Sequence, residues 1–168
     1  MAGQKKSAND SLNNCKKNSI YIELGGQGGV YSICYDRLFD AKEKKKNSFS
    51  IGFSYVQGFD NGNTIQVYAL PFSRNTIFYR NLELGIGITP AIHAEFKKAS
   101  YYKTYPIEGY TEITPLLFFS PKIGFRYQTN TSKLFFKATF TPMISFLENS
   151  LFSRRIYPWG GISIGHSF

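Results

Sequence analysis

Hydrophobic and polar residues alternate with period two through most of the chain, which is the signature of strands with two chemically different faces. The longest such run sets Leu82, Leu84, Ile86, Ile88, Pro90, Ile92, Ala94 and Phe96 against Glu83, Gly85, Gly87, Thr89, Ala91, His93 and Glu95. A second sets Leu134, Phe136, Ala138, Phe140, Pro142 and Ile144 against Phe135, Lys137, Thr139, Thr141 and Met143. The last sets Ile162, Ile164, His166 and Phe168 against Gly161, Ser163, Gly165 and Ser167. Shorter runs at 49–55 and 122–127 obey the same rule. Between Ser19 and Phe39 the apolar set changes from even to odd positions across Gly25–Gly29, which suggests a hairpin or a bulge, and the hairpin is taken for the strand count. The pattern predicts eight strands, at about 19–25, 30–38, 49–57, 63–72, 81–96, 108–128, 133–146 and 157–168. The Lys-rich stretch 40–47, Asp60–Asn63 and Thr129–Ser132 carry turn chemistry, and longer connections fall near 97–107 and 147–156.

Residues 1–18 are polar and without periodicity, and are expected to form a flexible leader before a single domain over 19–168. The longest apolar run, Leu116–Phe119, is far too short for a spanning helix, for which about 18 residues are needed. Fifteen glycines and seven prolines among aromatic and β-branched residues argue against long helices. Two cysteines, Cys15 and Cys34, allow one optional bridge, with no zinc spacing. Cys34 is expected to point inward.

Alternation by itself does not distinguish a soluble barrel from a membrane barrel with its polar face inside. The polar face decides in favour of the second. It pairs glycines 52, 85, 87, 124, 161 and 165 with ionisable Glu83, Glu95, Lys122, Arg126 and Lys137. Glycines and opposed charges suit the narrow interior of an eight-stranded antiparallel up-and-down transmembrane β-barrel, whereas a watered face gains nothing from strand glycines. The expected interior network is Glu83, His93, Glu95, Lys122, Arg126 and Lys137. Tyrosines 21, 31, 55, 68, 101, 102, 110, 127 and 157 lie near strand ends, where amphipathic rings form interfacial girdles. An even strand number places both chain ends on the periplasmic side, with short turns there and longer loops outside.

The chain finishes inside a strand on Phe168, with Ile162 and Ile164 on the same face and Trp159 upstream. This resembles bacterial outer-membrane barrels, whose final Phe is read by the barrel-assembly machinery; His166 stands where that group usually has an aromatic residue. More narrowly, residues 19–26, 31–39, Gly124–Tyr127 and Pro158–Gly165 are similar to a family of small outer-membrane barrels of Bacteroidota. The resemblance spans 19–168 and implies an outer-membrane location in a Gram-negative envelope, contacts with outer-membrane lipid and lipopolysaccharide, and no particular enzymatic activity.

Twenty Lys+Arg against eleven Asp+Glu leave a net charge of +9, and aromatic residues make up 17% of the chain. Those aromatics alternate with glycine and the lysines fall in turns, so no basic stacking surface for nucleic acid is present. For a membrane barrel, Lys97, Lys98 and Lys103 near the outer rim either meet lipopolysaccharide phosphates or simply keep the loops soluble, and the sequence leaves both readings open. No phosphate-loop, zinc-protease or nucleophile-elbow motif occurs, and Gly25–Gly29 lacks the strand-to-helix context of a nucleotide-binding loop. No catalytic residue, cofactor or metal is therefore expected. The expected role is a non-enzymatic membrane anchor or a subunit of a larger envelope assembly. Two alternatives remain open at this point: a soluble lipocalin-like carrier with its apolar face inward, and a lipid-modifying enzyme using His93 and Glu95 at the barrel mouth.

Overall fold

The computed structural model describes residues 17–42, 45–78, 81–102, 105–128, 133–146 and 156–168. Residues 1–16 of the expected leader, Cys15 among them, and Lys103 lie outside the described residues, whereas Asn18, expected to close that leader, already pairs with Arg37 in the sheet. The strands are β1 (Asn18–Gly25), β2 (Tyr31–Lys42), β3 (Lys45–Asp60), β4 (Asn63–Ala69), β5 (Phe72–Phe78), β6 (Leu82–Lys97), β7 (Ser100–Tyr102), β8 (Tyr105–Ile107), β9 (Tyr110–Gln128), β10 (Leu134–Phe140), β11 (Met143–Ser145), β12 (Ile156–Tyr157) and β13 (Gly160–Ser167). Eleven of them form one antiparallel sheet, while β7 and β8 pair with each other in a small hairpin. Among the described residues no helix is long and apolar enough to cross a membrane.

The large sheet closes on itself. β1 pairs with β2, β2 with β3, and β3 with both β4 and β5. Those two pair with β6, β6 with β9, and β9 with β10 and β11. β11 pairs with β12, β10 with β13, and β13 returns to β1. The ring therefore has eight staves. The closing backbone bonds join the two ends of the domain, from the Phe168 N–H to the Asn18 carbonyl at 2.8 Å and from the Asn18 N–H to the Phe168 carbonyl at 3.2 Å. Closure matters because an open edge would leave a row of unpaired donors and acceptors.

Eleven strands appear in the sheet where alternation predicts eight, because three staves are interrupted, each beside a proline. The breaks fall at Leu70–Pro71, Thr141–Pro142 and Pro158–Trp159. Proline has no N–H to give to the ladder and stops regular pairing locally. Neighbouring backbone groups bridge the gaps: the Gly52 N–H reaches the Pro71 carbonyl at 2.8 Å, and the Thr141 N–H reaches the Trp159 carbonyl at 2.8 Å. A second departure concerns the Lys-rich stretch at 40–47, whose composition predicts a turn. β2 and β3 continue pairing out to Lys42 and Lys45, with a register shift between Leu38 and Asp40. The expected 97–107 connection likewise contains the β7–β8 hairpin.

One end of the ring carries Asn18, Phe168, Lys42, Lys45, Phe78, Leu82, Gln128 and Leu134. The other carries residues 26–30 and 61–62 with Lys97, Tyr110, Ser145 and Ile156. They are called here the terminal end and the loop end.

Face assignment follows the period-two rule. Ile86, Phe136 and Ile164 are 56%, 54% and 49% exposed. One outward rung runs Phe53, Ile33, Ile22, Ile164, Phe136, Tyr127 across six staves. The interior holds mostly polar side chains, among them Ser19, Glu23, Ser32, Asp36, Ser50, Ser73, Glu83, Lys122, Arg126, Lys137 and Ser163. This arrangement contradicts the lipocalin-like alternative, in which the Ile and Phe face would be enclosed.

Candidate functional site

The interior nearer the terminal end is an ionic cluster built from neighbouring staves. Alternation places Tyr21 and Glu23 inward on β1, opposite Cys34 and Ser32 on β2. The inner rung Glu23, Ser163, Lys137, Arg126 then crosses β1, β13, β10 and β9. Arg126 donates to Asp36 Oδ2 at 2.8 Å and to the Ser19 hydroxyl at 3.2 Å. Lys137 Nζ lies 2.9 Å from Glu83 Oε1. Lys122 donates to the Ser73 hydroxyl at 3.2 Å, and that hydroxyl is shared with Ser50 at 2.6 Å and Asn75 at 3.3 Å. Glu23, Asp36 and Glu83 match Lys122, Arg126 and Lys137 in number, so the buried charge is balanced. Burying any of these charges alone would be costly, and the Arg126–Asp36 and Lys137–Glu83 pairs offset that cost for four of the six.

Two aromatic rings complete this cluster. The Arg126 guanidinium sits 4.1 Å from the Phe135 ring centre and the Lys137 ammonium 4.9 Å from that of Tyr21. Tyr21 and Phe135 meet edge to face at 5.8 Å. Gly165 faces both, and a side chain there would occupy the Phe135 ring position. Tyr21, expected in an interfacial girdle, is thus an interior residue; its odd position on β1 puts it in phase with Glu23. Tyr31, Tyr68, Tyr110 and Tyr127 are exposed, while Tyr55 and Tyr157 are half-buried. Nothing is described of the Tyr101 and Tyr102 side chains.

Above the ionic cluster lies a feature that sequence reading misses. The Gly25–Gly29 connection, expected as a tight outer loop, turns into the ring as a single 3₁₀ turn over Gly26–Gly28, all three residues buried. Gly25, Gly26 and Gly29 take φ of 75°, 71° and 87°, where a side chain would be strained. Gln27 reaches across the interior and donates to the Phe72 carbonyl at 2.7 Å, and the Thr89 hydroxyl donates to the Gln27 carbonyl at 3.2 Å. Gly87 leaves the room that the Gln27 amide occupies, and Gly26 does the same for the Glu23 carboxyl. Trp159 Nε1 donates to the Gly29 carbonyl at 3.2 Å from the rim. A run of glycines with one Gln among them carries the signal for such an insertion, yet nothing local says which way the turn faces.

Beyond the turn, toward the loop end, the interior becomes apolar: Ala69, Ala91 and Leu116 share one rung, with Phe118 and Met143 packed beside them.

Of the six residues expected to form one network, Glu83, Lys122, Arg126 and Lys137 lie together in the buried cluster. His93 and Glu95 do not join them, because β6 runs on past the apolar layer and carries both to the loop end. There the Glu95 carboxylate accepts a bond from Asn63 Nδ2 at 2.9 Å and lies 3.9 Å from Lys97 Nζ. Among the described residues no hydrogen bond links His93 to Glu95. Higher still, Lys97 Nζ lies 2.6 Å from Glu112 Oε2 on an exposed surface. The bond to Glu112 raises the Lys97 pKa, and the same bond lowers that of Glu112. Glu23, Asp36, Ser19 and Ser73 extend the cluster beyond the expected network, although the inward phase of the first three is readable from Ile20, Ile22, Ile33 and Tyr35. Of the expected assembly-signal residues, Ile162, Ile164 and Phe168 face outward in one line, and Trp159 is exposed at the loop-end rim. No cluster of metal-ligating side chains occurs among the described residues, and Cys34 is a free, buried thiol.

Comparisons with known proteins agree with this geometry. The fold is similar to that of a major outer membrane protein from Thermus thermophilus, with a TM-score of 0.60 over 90% of this chain and 99% of that one, at 11% identity. No protein-family model matches the sequence, and no curated protein matches it. At 11% identity the likeness concerns the fold: an all-β antiparallel sheet closed in a ring of eight staves.

Proposed function

We propose that the protein is an integral outer-membrane β-barrel, non-enzymatic, that serves as a membrane anchor or as a subunit of a larger cell-envelope assembly. One observation carries the reading: side chains that would aggregate in water line the outside, and balanced charges fill the inside. In a bilayer that inversion is the stable arrangement, since closed pairing satisfies every strand and the apolar band meets hydrocarbon. The similarity of its fold to that of a major outer membrane protein supports it.

In this reading the terminal end is periplasmic and carries the short connections, the loop end faces outward, and Phe168 with Ile164, Ile162 and Trp159 is the signal taken up by the barrel-assembly machinery. Lipopolysaccharide surrounds the outer rim, other envelope proteins meet the loops, and neither nucleic acid nor a cofactor is involved. The Bacteroidota resemblance fits this placement. The charged interior and the inserted Gln27 turn fill the lumen, so conduction is not its purpose.

Folding into vesicles tests the reading. The wild type inserts and runs as a compact, heat-modifiable band on unboiled gels. Ile22→Arg, on the outward face midway along β1, lowers folding stability in the bilayer by about 2–4 kcal/mol. A monodisperse, folded protein in buffer without detergent, or full tolerance of arginine at 22, refutes the membrane assignment.

A further inference from the structure

Near the terminal end, the largely apolar outward face carries two arginines. Register sets Arg37 on β2, Phe49 on β3, Arg74 on β5 and Ile86 on β6 along a single outward rung. Both arginines are exposed, and Arg74 stands among Phe49, Phe72 and Ile86. Arg74 crosses β3 sideways to place its guanidinium 5.8 Å from the centre of the Phe39 ring, on the strand that also carries Arg37. Two strand spacings, about 10 Å, separate the two backbones, so two arginine side chains can close on one small anion. Lys45 and Lys46, also exposed, follow toward the same end. No ion pair neutralises Arg37 or Arg74 among the described residues, and the inward acids Asp36 and Glu83 belong to the interior cluster.

A lipid-facing arginine is expensive unless an anion meets it. Guanidinium, unlike ammonium, offers a planar fork that matches phosphate oxygens two at a time. Phe39 and Phe49, both exposed, supply an apolar floor beside the cations for the first carbons of an acyl chain. Resting on the membrane reading above, we propose that Arg37 and Arg74 form a binding site for the phosphate of an anionic phospholipid in the leaflet at the terminal end of the barrel. Phosphate sits between the two guanidinium groups and the acyl chains run up the Phe49–Ile51–Phe53 side of β3. The site orients the barrel in depth by tying one rung to headgroup level.

The test uses the full chain inserted in vesicles of phosphatidylcholine alone or with phosphatidylglycerol, extracted in mild detergent, with retained lipid read by native mass spectrometry. The wild type keeps one phosphatidylglycerol in preference to phosphatidylcholine. R37Q/R74Q, checked for the heat-modifiable band, loses about tenfold or more of that affinity, and R37K/R74K, which keeps the charge and loses the fork, falls between. Equal retention of the two lipids by the wild type, or unchanged retention by R37Q/R74Q, overturns the lipid site and leaves the membrane reading intact. Displacement of the lipid by millimolar inorganic phosphate overturns it in favour of a free-anion site. Loss of binding to an acidic peptide, with lipid retention unchanged, gives the pair to a protein partner instead. Failure of the wild type to insert in either vesicle overturns the membrane reading and this site together.

Discussion

The two halves of the interior solve the same space-filling problem with opposite chemistry. Toward the terminal end, three acids and three bases interlock with serines and two aromatic rings. Toward the loop end, Ala69, Ala91, Leu116 and Phe118 pack without a charge among them. The Gln27 turn lies between, bonded to β5 and β6. The ionic half is held by directional contacts that fail badly if one partner is lost, whereas the apolar half depends on volume and degrades in proportion to what is removed. In the membrane reading proposed above, an outer wall that gains nothing from apolar contact between its own strands leaves both kinds of interior contact to specify a unique structure.

The largest expected effect is Glu83→Ala, which strands the Lys137 ammonium in the ring; breaking a buried pair in this way costs about 3–5 kcal/mol. Urea titration in vesicles measures it, and a loss no greater than that of an exposed charge means that water reaches Lys137 and the ionic half is open. Leu116→Ala should cost about 2–4 kcal/mol through the cavity it leaves, with the ionic half unchanged. If it instead shifts the environment of the Tyr21 and Phe135 rings, seen by near-ultraviolet dichroism, the two halves are one cooperative unit.

Gly87→Ala probes the boundary. The added methyl collides with the Gln27 amide and displaces it from the Phe72 carbonyl, for about 1–2 kcal/mol. Gln27→Ala in the same chain should remove most of the additional penalty, and strict additivity in that double-mutant cycle means that the turn does not occupy the ring.

The smallest effect concerns the exposed Lys97–Glu112 pair above the apolar half. Glu112 has a lowered pKa, so its contribution is complete above the ordinary carboxylate range and fades as pH falls through the lowered value; Lys97 has a raised pKa, so its contribution fades only as pH rises through that raised value. Glu112→Gln should leave global unfolding unchanged and speed amide exchange at the tops of β6 and β9 at neutral pH, a difference that disappears in acid.

How far the sequence can be read differs between these same regions. On β10 the alternation of Phe136 and Ala138 with Lys137 and Thr139 settles which side each residue takes. At Leu116–Phe119 both phases are apolar, and only pairing of Leu116 with Ala91 shows which residues turn inward. Prolines 71, 142 and 158 are visible in the sequence, but their effect on strand count depends on which neighbours bridge the gap. Tyr21 is the instructive error: a tyrosine near a strand end fits either a girdle or a lumen, and its phase has to outweigh its type.

The chain by itself determined that its strands have one greasy and one polar face, because the pleat sends successive side chains to opposite sides whatever the strand is paired with. Tertiary structure alone decided the partners. Arg126 and Asp36 stand 90 residues apart, and closure of the ring with a particular register brings them within bonding distance. The same closure leaves a lumen of the size that the glycine turn and Gln27 fill, a direction that no local rule of backbone geometry supplies.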